Sequence, residues 1–133
     1  MVMIKRGTAN SVLARALGTG GDFAEIFLED RRSHTLSMRG GKVDAALRGR
    51  SRGAGIRVFQ GGSAVYTYTN DTSPAGLMAC AQRAAAAVKS RPPGAAAALV
   101  FQATPSLHPV ALAPSSVGAG RKAEKLRAAH GAA

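Results

Sequence analysis

Between residues 23 and 69 the sequence alternates apolar and polar side chains with a period of two, and two glycine pairs interrupt the alternation. Such alternation is typical of strands that bury one face. The pairs Gly40-Gly41 and Gly61-Gly62 suit hairpin turns, because glycine adopts positive φ without strain. Arg31-Arg32 predicts a further bend, and the connection 50–53 is either a hairpin or a crossover. The segment therefore predicts about five short strands in a meander, near 24–28, 35–38, 43–48, 56–58 and 64–69.

Helical patterns flank this segment on both sides. Thr8 or Asn10 is placed to cap a first helix and Gly18 to end it, while Ser73 caps a second helix that has Pro74 at its first position. The predicted apolar stripes are Val12, Leu13, Ala16 and Leu17 in the first helix, and Leu77, Met78, Ala81, Ala85 and Val88 in the second. Helices and strands are segregated along the chain, which favours an α+β fold. We predict a largely antiparallel sheet covered by the two alanine-rich helices.

The composition changes after residue 91. Residues 1–91 contain the periodic segments and predict one α+β domain. Residues 92–120 are rich in proline, alanine and glycine, and predict a linker. Residues 121–133 begin with a helical pattern in which Ala123, Leu126 and Ala129 share one face, and predict the start of a short C-terminal helix.

Charge and cysteine content narrow the classes of protein further. Lysine and arginine number 18 against 7 aspartates and glutamates, which gives a net charge of +11. The single cysteine, Cys80, excludes an intramolecular disulfide framework and indicates a reducing, cytoplasmic setting. No apolar run approaches the roughly 20 residues that span a bilayer, so we expect no membrane association.

No catalytic constellation is complete in these residues. His34, His108 and His130 are separated from one another, and none belongs to a zinc-binding pair on one helix face. Cys80 lies among small apolar residues, which is typical of a buried side chain rather than a nucleophile. The glycine-rich segment 18–21 follows a helix and precedes a strand, the reverse of the order that a dinucleotide-binding loop requires.

The arginines of the central segment form a candidate basic surface, which comprises Arg48, Arg50, Arg52 and Arg57. A cationic patch is the electrostatic footprint of nucleic-acid binding. Aromatic residues make up only 5% of the chain and do not interleave with these arginines as stacking platforms do. We therefore expect a solvated or protein-contacting face, and nucleic acid is the less favoured partner.

From Gly21 to Val88 the sequence resembles the N-terminal domain of the TldD/PmbA family, also called modulators of DNA gyrase. The similarity runs through GDFAEIFLEDRRSHTLSMRGGKVDAALRGRSRGAGIRVFQGG and SAVYTYTNDTSPAGLMACAQRAAAAV. Its marks are acidic Glu25 and Glu29, the turn 41–43, the strand 53–58 and the Thr-Asn-Asp segment 69–71. Residues 29–33 look like the TldD branch, and residues 121–130 are similar to the helix after the family's linker.

The resemblance implies a zinc metallopeptidase that cleaves unfolded or flexible peptides, with the zinc held by a His-Glu-x-x-x-His helix and a later cysteine. No position here matches those ligands, so no catalytic or metal-binding residue is assigned and no cofactor is expected in this chain. We expect a truncated chain, an N-terminal part that serves dimerisation or substrate enclosure and is inactive alone. Its partners would be a TldD/PmbA-type subunit or the missing catalytic half. The alternative is a stand-alone basic adaptor that binds nucleic acid or an acidic protein.

The first predicted strand is apolar on both faces, because Phe23 and Phe27 alternate with Ala24, Ile26 and Leu28. Such a strand is normally covered on both sides, yet two helices cover only about one face. We therefore predict an exposed interface for self-association or partner docking at Phe23, Phe27, Phe59 and Val65.

Overall fold

A computed structural model describes residues 4–89, 105 and 107–132. Its elements, in chain order, are α1 (Arg6–Ala16), β1 (Phe23–Arg39), β2 (Lys42–Gln60), β3 (Ser63–Thr69), α2 (Pro74–Ala86), a short 3-10 turn (Pro114–Ser116) and α3 (Ala119–Gly131). The chain divides into two compact units. The first unit holds the described residues within Met1–Asp30 and Arg52–Gln102, and the second holds those within Arg31–Ser51 and Ala103–Ala133.

The fold is α+β as predicted, but the prediction of about five strands is wrong. The described residues form one sheet of three strands in the order β1-β2-β3. The bend expected at Arg31-Arg32 does not occur, and β1 continues through it for 17 residues. β2 likewise runs for 19 residues through the connection 50–53. Arginine side chains at exposed positions stay outside the backbone ladder, so they do not end a strand as proline would.

The chain reverses at the two glycine pairs, as predicted. Gly40 and Gly41 both have positive φ, at 54° and 74°, as a type I′ hairpin turn requires. At the second pair Gly61 has a φ of 57°. Both connections are two residues long, and the strands that they join are therefore antiparallel neighbours.

The register between β2 and β3 separates their side chains into two faces. Partners across an antiparallel pair share a face, and Ile56 pairs with Thr67 while Val58 pairs with Val65. Ile56 and Val58 are both fully buried against the helices. The alternate pairs, Arg57 with Tyr66 and Gly55 with Tyr68, consequently lie on the opposite face.

The core of the first unit lies between this sheet and helices α1 and α2. Its buried residues are Val12, Ala16, Leu17, Ala24, Ala54, Ile56, Val58, Leu77, Cys80, Ala81 and Ala84. Helix α1 contacts α2, and α2 contacts β3. Alanines at these positions let the helices approach closely, so aliphatic side chains fill the core without aromatic rings.

The helix boundaries agree with the sequence at α2 more closely than at α1. The Ser73 hydroxyl accepts a hydrogen bond of 3.1 Å from the backbone N–H of Gly76, and Pro74 opens α2 as predicted. Helix α1 begins directly after Lys5, before the predicted caps at Thr8 and Asn10, and Lys5 makes no side-chain capping bond. Met78, placed on the predicted stripe of α2, is 38% exposed, and Cys80 occupies the core instead.

The second unit combines the distal parts of β1 and β2 with α3. Ala123 is the buried residue of α3, and His130 near its C-terminal end lies beside the backbone of Gly41. Several large apolar side chains of this unit are exposed, among them Leu47, Leu107 and Leu112. Of the predicted linker 92–120, residues 105 and 107–120 are described, and they include the 3-10 turn Pro114–Ser116 and the first residues of α3. The rest of this segment lies outside the described residues, and its role as a linker stays a prediction. Among the described helices, none combines the length and apolarity needed to cross a membrane.

Candidate functional site

The face of the first unit that points away from α1 and α2 carries a cluster of aromatic side chains. We call this set the open face, and it comprises Phe23, Glu25, Phe27, Arg57, Phe59, Tyr66 and Tyr68. Four of its rings are more than half exposed: Phe23 at 56%, Phe27 at 63%, Tyr66 at 55% and Tyr68 at 52%. Scattered apolar side chains are ordinary on protein surfaces, whereas a contiguous cluster of rings marks an interaction site.

Two glycines in β2 determine where the tyrosine rings lie. A Cβ atom placed on Gly55 would stand 2.7 Å from Cε2 of Tyr66, and one on Gly53 would stand 2.8 Å from Cε2 of Tyr68. These distances are too short for a real side chain, so the rings occupy the space that the glycines leave. Each tyrosine ring thereby covers a glycine of β2 that lies diagonally opposite it, a distance that an aromatic side chain can reach.

Arg57 lies at the centre of the open face and links its three strands. Its Nη1 forms an ion pair with Oε1 of Glu25 at 3.1 Å. Its Cζ lies 5.8 Å from the ring centroid of Phe59 and 5.6 Å from that of Tyr66, within cation–π range. The ion pair is about half exposed and contributes roughly 0–1 kcal/mol. Its main effect is to fix the direction of the guanidinium group.

Around Arg57 the open face forms a shallow depression of about 260 Å³, lined among others by Phe27, Gly55 and Tyr66. The rings of Phe23 and Phe59 pack beside it, with centroids 5.8 Å apart and a tilt of 42°. The depression combines an ion pair with aromatic walls. Such a surface can receive an extended segment or an apolar side chain from another molecule.

Residues 24–88 match the family model described as PmbA/TldA metallopeptidase domain 1. This segment belongs to the PmbA/TldD family. The expected resemblance is thus confirmed, and the matched residues run from the start of β1 past the end of α2. A search of curated proteins found no significant match to the chain.

Three of the four residues predicted as an interface lie on the open face of this PmbA/TldD domain. Phe23 and Phe27 are exposed there, and Phe59 is half-buried beside Phe23. Val65 lies on the opposite face, because its partner across the strand pair is buried Val58. The structure therefore places the three phenylalanines on one face, with Phe23 and Phe59 in ring contact, and places Val65 on the other. That these residues contact another protein stays a prediction.

The sequence gives no direct indication of Tyr66 and Tyr68 as members of this face. Their alternation with threonine indicates a strand, and the larger apolar residues of an alternating strand are expected to point toward the core. In the PmbA/TldD domain the threonines point inward, and the Thr67 hydroxyl donates to the carbonyl of Cys80 at 3.1 Å. The signal that could have found the tyrosines is the spacing of Gly53 and Gly55, which leaves two gaps on one face of β2.

The four arginines of the predicted basic surface are divided between the units. Arg48 and Arg50 belong to the second unit, and Arg52 and Arg57 to the first. Five positions separate Arg52 from Arg57, so their side chains point to opposite faces of β2. Arg57 is engaged with Glu25 and belongs to the open face of the PmbA/TldD domain. A role for these arginines in binding stays a prediction.

The described histidines and Cys80 do not assemble into a catalytic site. Cys80 is fully buried, with its sulfur 3.3 Å from the hydroxyl of Thr67. Within the described ranges no three side chains of His, Cys, Asp or Glu are placed to hold a metal ion together. The described residues therefore do not fit the zinc that the family resemblance implies, and no catalytic step is assigned to them.

Proposed function

We propose that the PmbA/TldD domain is a non-catalytic module of a TldD-type zinc metallopeptidase. In this role it docks a TldD/PmbA-type partner subunit and helps to enclose the peptide path. The catalytic zinc belongs to a separate domain. The substrates are unfolded or flexible peptides, and the setting is the cytoplasm.

The observation that carries this proposal is the open face. Tyrosine, phenylalanine and arginine are the residue types enriched at the centres of protein interfaces, and all three occur here on one sheet surface. The opposite surface of the same sheet is buried beneath α1 and α2. A sheet with one buried and one aromatic, exposed surface is suited to pack against a second protein.

Partner binding tests the proposal directly. The full chain is titrated with a TldD/PmbA-type partner subunit, and the dissociation constant is measured by calorimetry. We expect Phe27→Ser to weaken binding by about tenfold or more, because Phe27 is the most exposed ring of the open face and a ring buried on binding can account for much of an interface's affinity. The matched control is Leu107→Ser, which removes an apolar side chain that is 80% exposed in the second unit. Equal affinity of wild type and Phe27→Ser would contradict docking through the open face.

A peptidase assay tests the non-catalytic part. The purified chain is incubated with an unstructured peptide and added zinc, with and without a chelator. We expect no turnover in either sample, since the described residues offer no metal site. Zinc-dependent cleavage that the chelator abolishes, and that copurifies with the chain, would overturn this part of the proposal.

A second candidate function, a basic adaptor for nucleic acid or an acidic protein, is favoured by one observation. The second unit contains ten lysines and arginines against two carboxylates. Binding to duplex DNA would weaken steeply as salt rises, because counterions are released on binding. Docking through the aromatic open face would depend on salt much less. A salt titration of both interactions therefore separates the two functions.

A further inference from the structure

A cleft in the second unit has the features of an anion-binding site, and it is separate from the open face. Strands β1 and β2 and helix α3 line a cavity of about 270 Å³. Its walls include His34, Leu36, Leu47, Arg48, Ala119 and Lys122. No carboxylate lines it. Three nitrogen-bearing side chains from three elements thus face one small space.

The cations around this cleft are not neutralised within the described part of the chain. Neither Arg48 nor Lys122 forms an ion pair with a described carboxylate. Partial burial lowers the pKa of His34, and the charges of Lys122, Arg48 and Arg32 lower it further. The imidazole of His34 therefore lies in a positive electrostatic field. Arg32 of its own strand, Arg48 of β2 and Lys122 of α3 contribute to this field.

The first turn of α3 borders the same cleft, which Ala119 and Lys122 line. Ala119 is the first residue of α3, and Gly118 before it makes no side-chain capping bond. The first turn carries no acidic residue. Backbone N–H groups at such a terminus favour a negative charge, and here they lie beside Lys122 rather than alone.

The absence of aromatic residues from the second unit disfavours a single-stranded nucleic acid as the occupant of the cleft. Residues 31–51 and 103–133 contain no phenylalanine, tyrosine or tryptophan. Proteins that hold single strands use such rings as stacking platforms. The cavity, of about 270 Å³, is slightly smaller than typical ligand pockets of roughly 300–1,000 Å³, so it can hold a phosphate group and part of the molecule that carries it.

We propose that this cleft binds the phosphate group of a small phosphorylated molecule. Arg48 and Lys122 contact the phosphate oxygens, and the first turn of α3 donates backbone N–H bonds. Leu36 and Leu47 contact the apolar part of the ligand. A phosphate carries about two negative charges at neutral pH, which matches two cations that have no carboxylate partner among the described residues better than a single carboxylate does.

Calorimetry on the full chain tests this site with two probes, inorganic phosphate and adenosine monophosphate. We expect saturable binding of both, with the nucleotide tighter because its base and sugar add apolar contact. Arg48→Gln and Lys122→Gln should each weaken binding about tenfold, as expected for a lost charge-assisted bond. Arg127→Gln, on the exposed side of α3, removes the same charge and should change affinity less than about twofold.

An NMR titration tests whether the anion binds beside His34. NMR titration of the His34 imidazole should show its pKa rise when phosphate is bound, because the anion offsets the field of Lys122 and Arg48. The proposal fails if phosphate does not saturate below about 10 mM. It also fails if Arg127→Gln weakens binding as much as Lys122→Gln, or if only duplex DNA binds, since either result indicates a diffuse basic surface.

Discussion

Asp71 and Ser73 form a small hydrogen-bonded turn at the start of α2. The backbone N–H of Ser73 donates to Oδ1 of Asp71 at 2.9 Å, and the N–H of Asp71 donates to the hydroxyl of Thr69 at 3.1 Å. The Ser73 side chain, and then its backbone N–H, hold the pKa of Asp71 below its ordinary value of 3.8. The ionised carboxylate therefore stabilises the first turn of α2.

The hydrogen-bonded turn at Asp71 predicts how the stability of the folded chain depends on pH. The folded pKa of Asp71 is depressed, so its contribution is fully present above the unfolded pKa and is lost as pH falls through the folded pKa. Asp71→Asn should lower the melting temperature at pH 7 and flatten the decline in stability below about pH 4. Asp44→Asn removes the same charge at an exposed strand position and should leave that decline unchanged. Thermal melts between about pH 2 and pH 7 distinguish the two variants.

Gly55 allows the open face to be altered without entering the core. Gly55→Ala should push the Tyr66 ring away from Arg57, because the new methyl group and the ring cannot share the same space. The ring is exposed and can swing outward, so the free energy of unfolding should change by less than about 1 kcal/mol. NMR shifts of the Tyr66 ring and the Arg57 guanidinium report the movement. Gly62→Ala, whose methyl group would meet nothing within 4 Å, should leave both signals in place.

At the scale of the element, strand β2 is buried along one part and exposed along another. Ile56 is fully buried in the first unit, whereas Leu47 on the same strand is 64% exposed in the second. A β-strand has no intrinsic stability of its own, so the cost of a substitution depends on what packs against it.

This contrast gives a paired prediction for β2. Ile56→Ala should lower the free energy of unfolding by about 2–5 kcal/mol, because it leaves a cavity between the sheet and the helices. Leu47→Ala should lower it by less than about 0.5 kcal/mol. Urea unfolding followed by circular dichroism measures both values. Similar costs at the two positions would show that the exposed part of β2 is covered by something else.

Local features of the sequence predicted the turns and the start of α2. Gly40-Gly41 and Ser73-Pro74 are recognisable because the backbone conformation or the hydrogen bond depends on those residues themselves. Strand length was not predictable in this way, since Arg31-Arg32 is compatible with both a bend and a continuing strand. The partner strand decides between them, and that partner is distant in sequence.

The sequence predicts only part of the open face. Phe23 and Phe27 were identified because alternation on both faces of one strand forces one set outward. The sequence of β3 does not identify Tyr66, because the direction of its side chain depends on the absence of a side chain at Gly55 on β2. The pattern of β3 alone contains no information about a gap on β2.

At the scale of the whole molecule, two opposing properties decide how copies of the chain interact. Aromatic rings on the open face favour association, while a net charge of +11 repels a second copy. Salt screens the repulsion, with a Debye length of about 10 Å at 0.1 M, but does not weaken contact between rings.

Self-association should therefore increase with salt. Sedimentation of the wild-type chain between about 0.05 and 0.5 M salt should show a growing fraction of dimers or larger species. The double variant Phe27→Ser with Phe59→Ser should remain monomeric across this range, because it removes two rings of the open face. A wild-type chain that stays monomeric at every salt and protein concentration would end the idea of association through this face.

The ring of Tyr66 and a side chain at position 55 would occupy the same space. Substitutions at these two positions should therefore be correlated among related sequences. A relative that gains a bulky residue at position 55 must lose the ring at position 66 or turn it outward, and it then also loses the cation–π contact with Arg57. Glycine and tyrosine at these sites should accordingly be exchanged together among descendants of this chain. Gly55 on β2 and Tyr66 on β3 together therefore identify this part of the open face in a sequence.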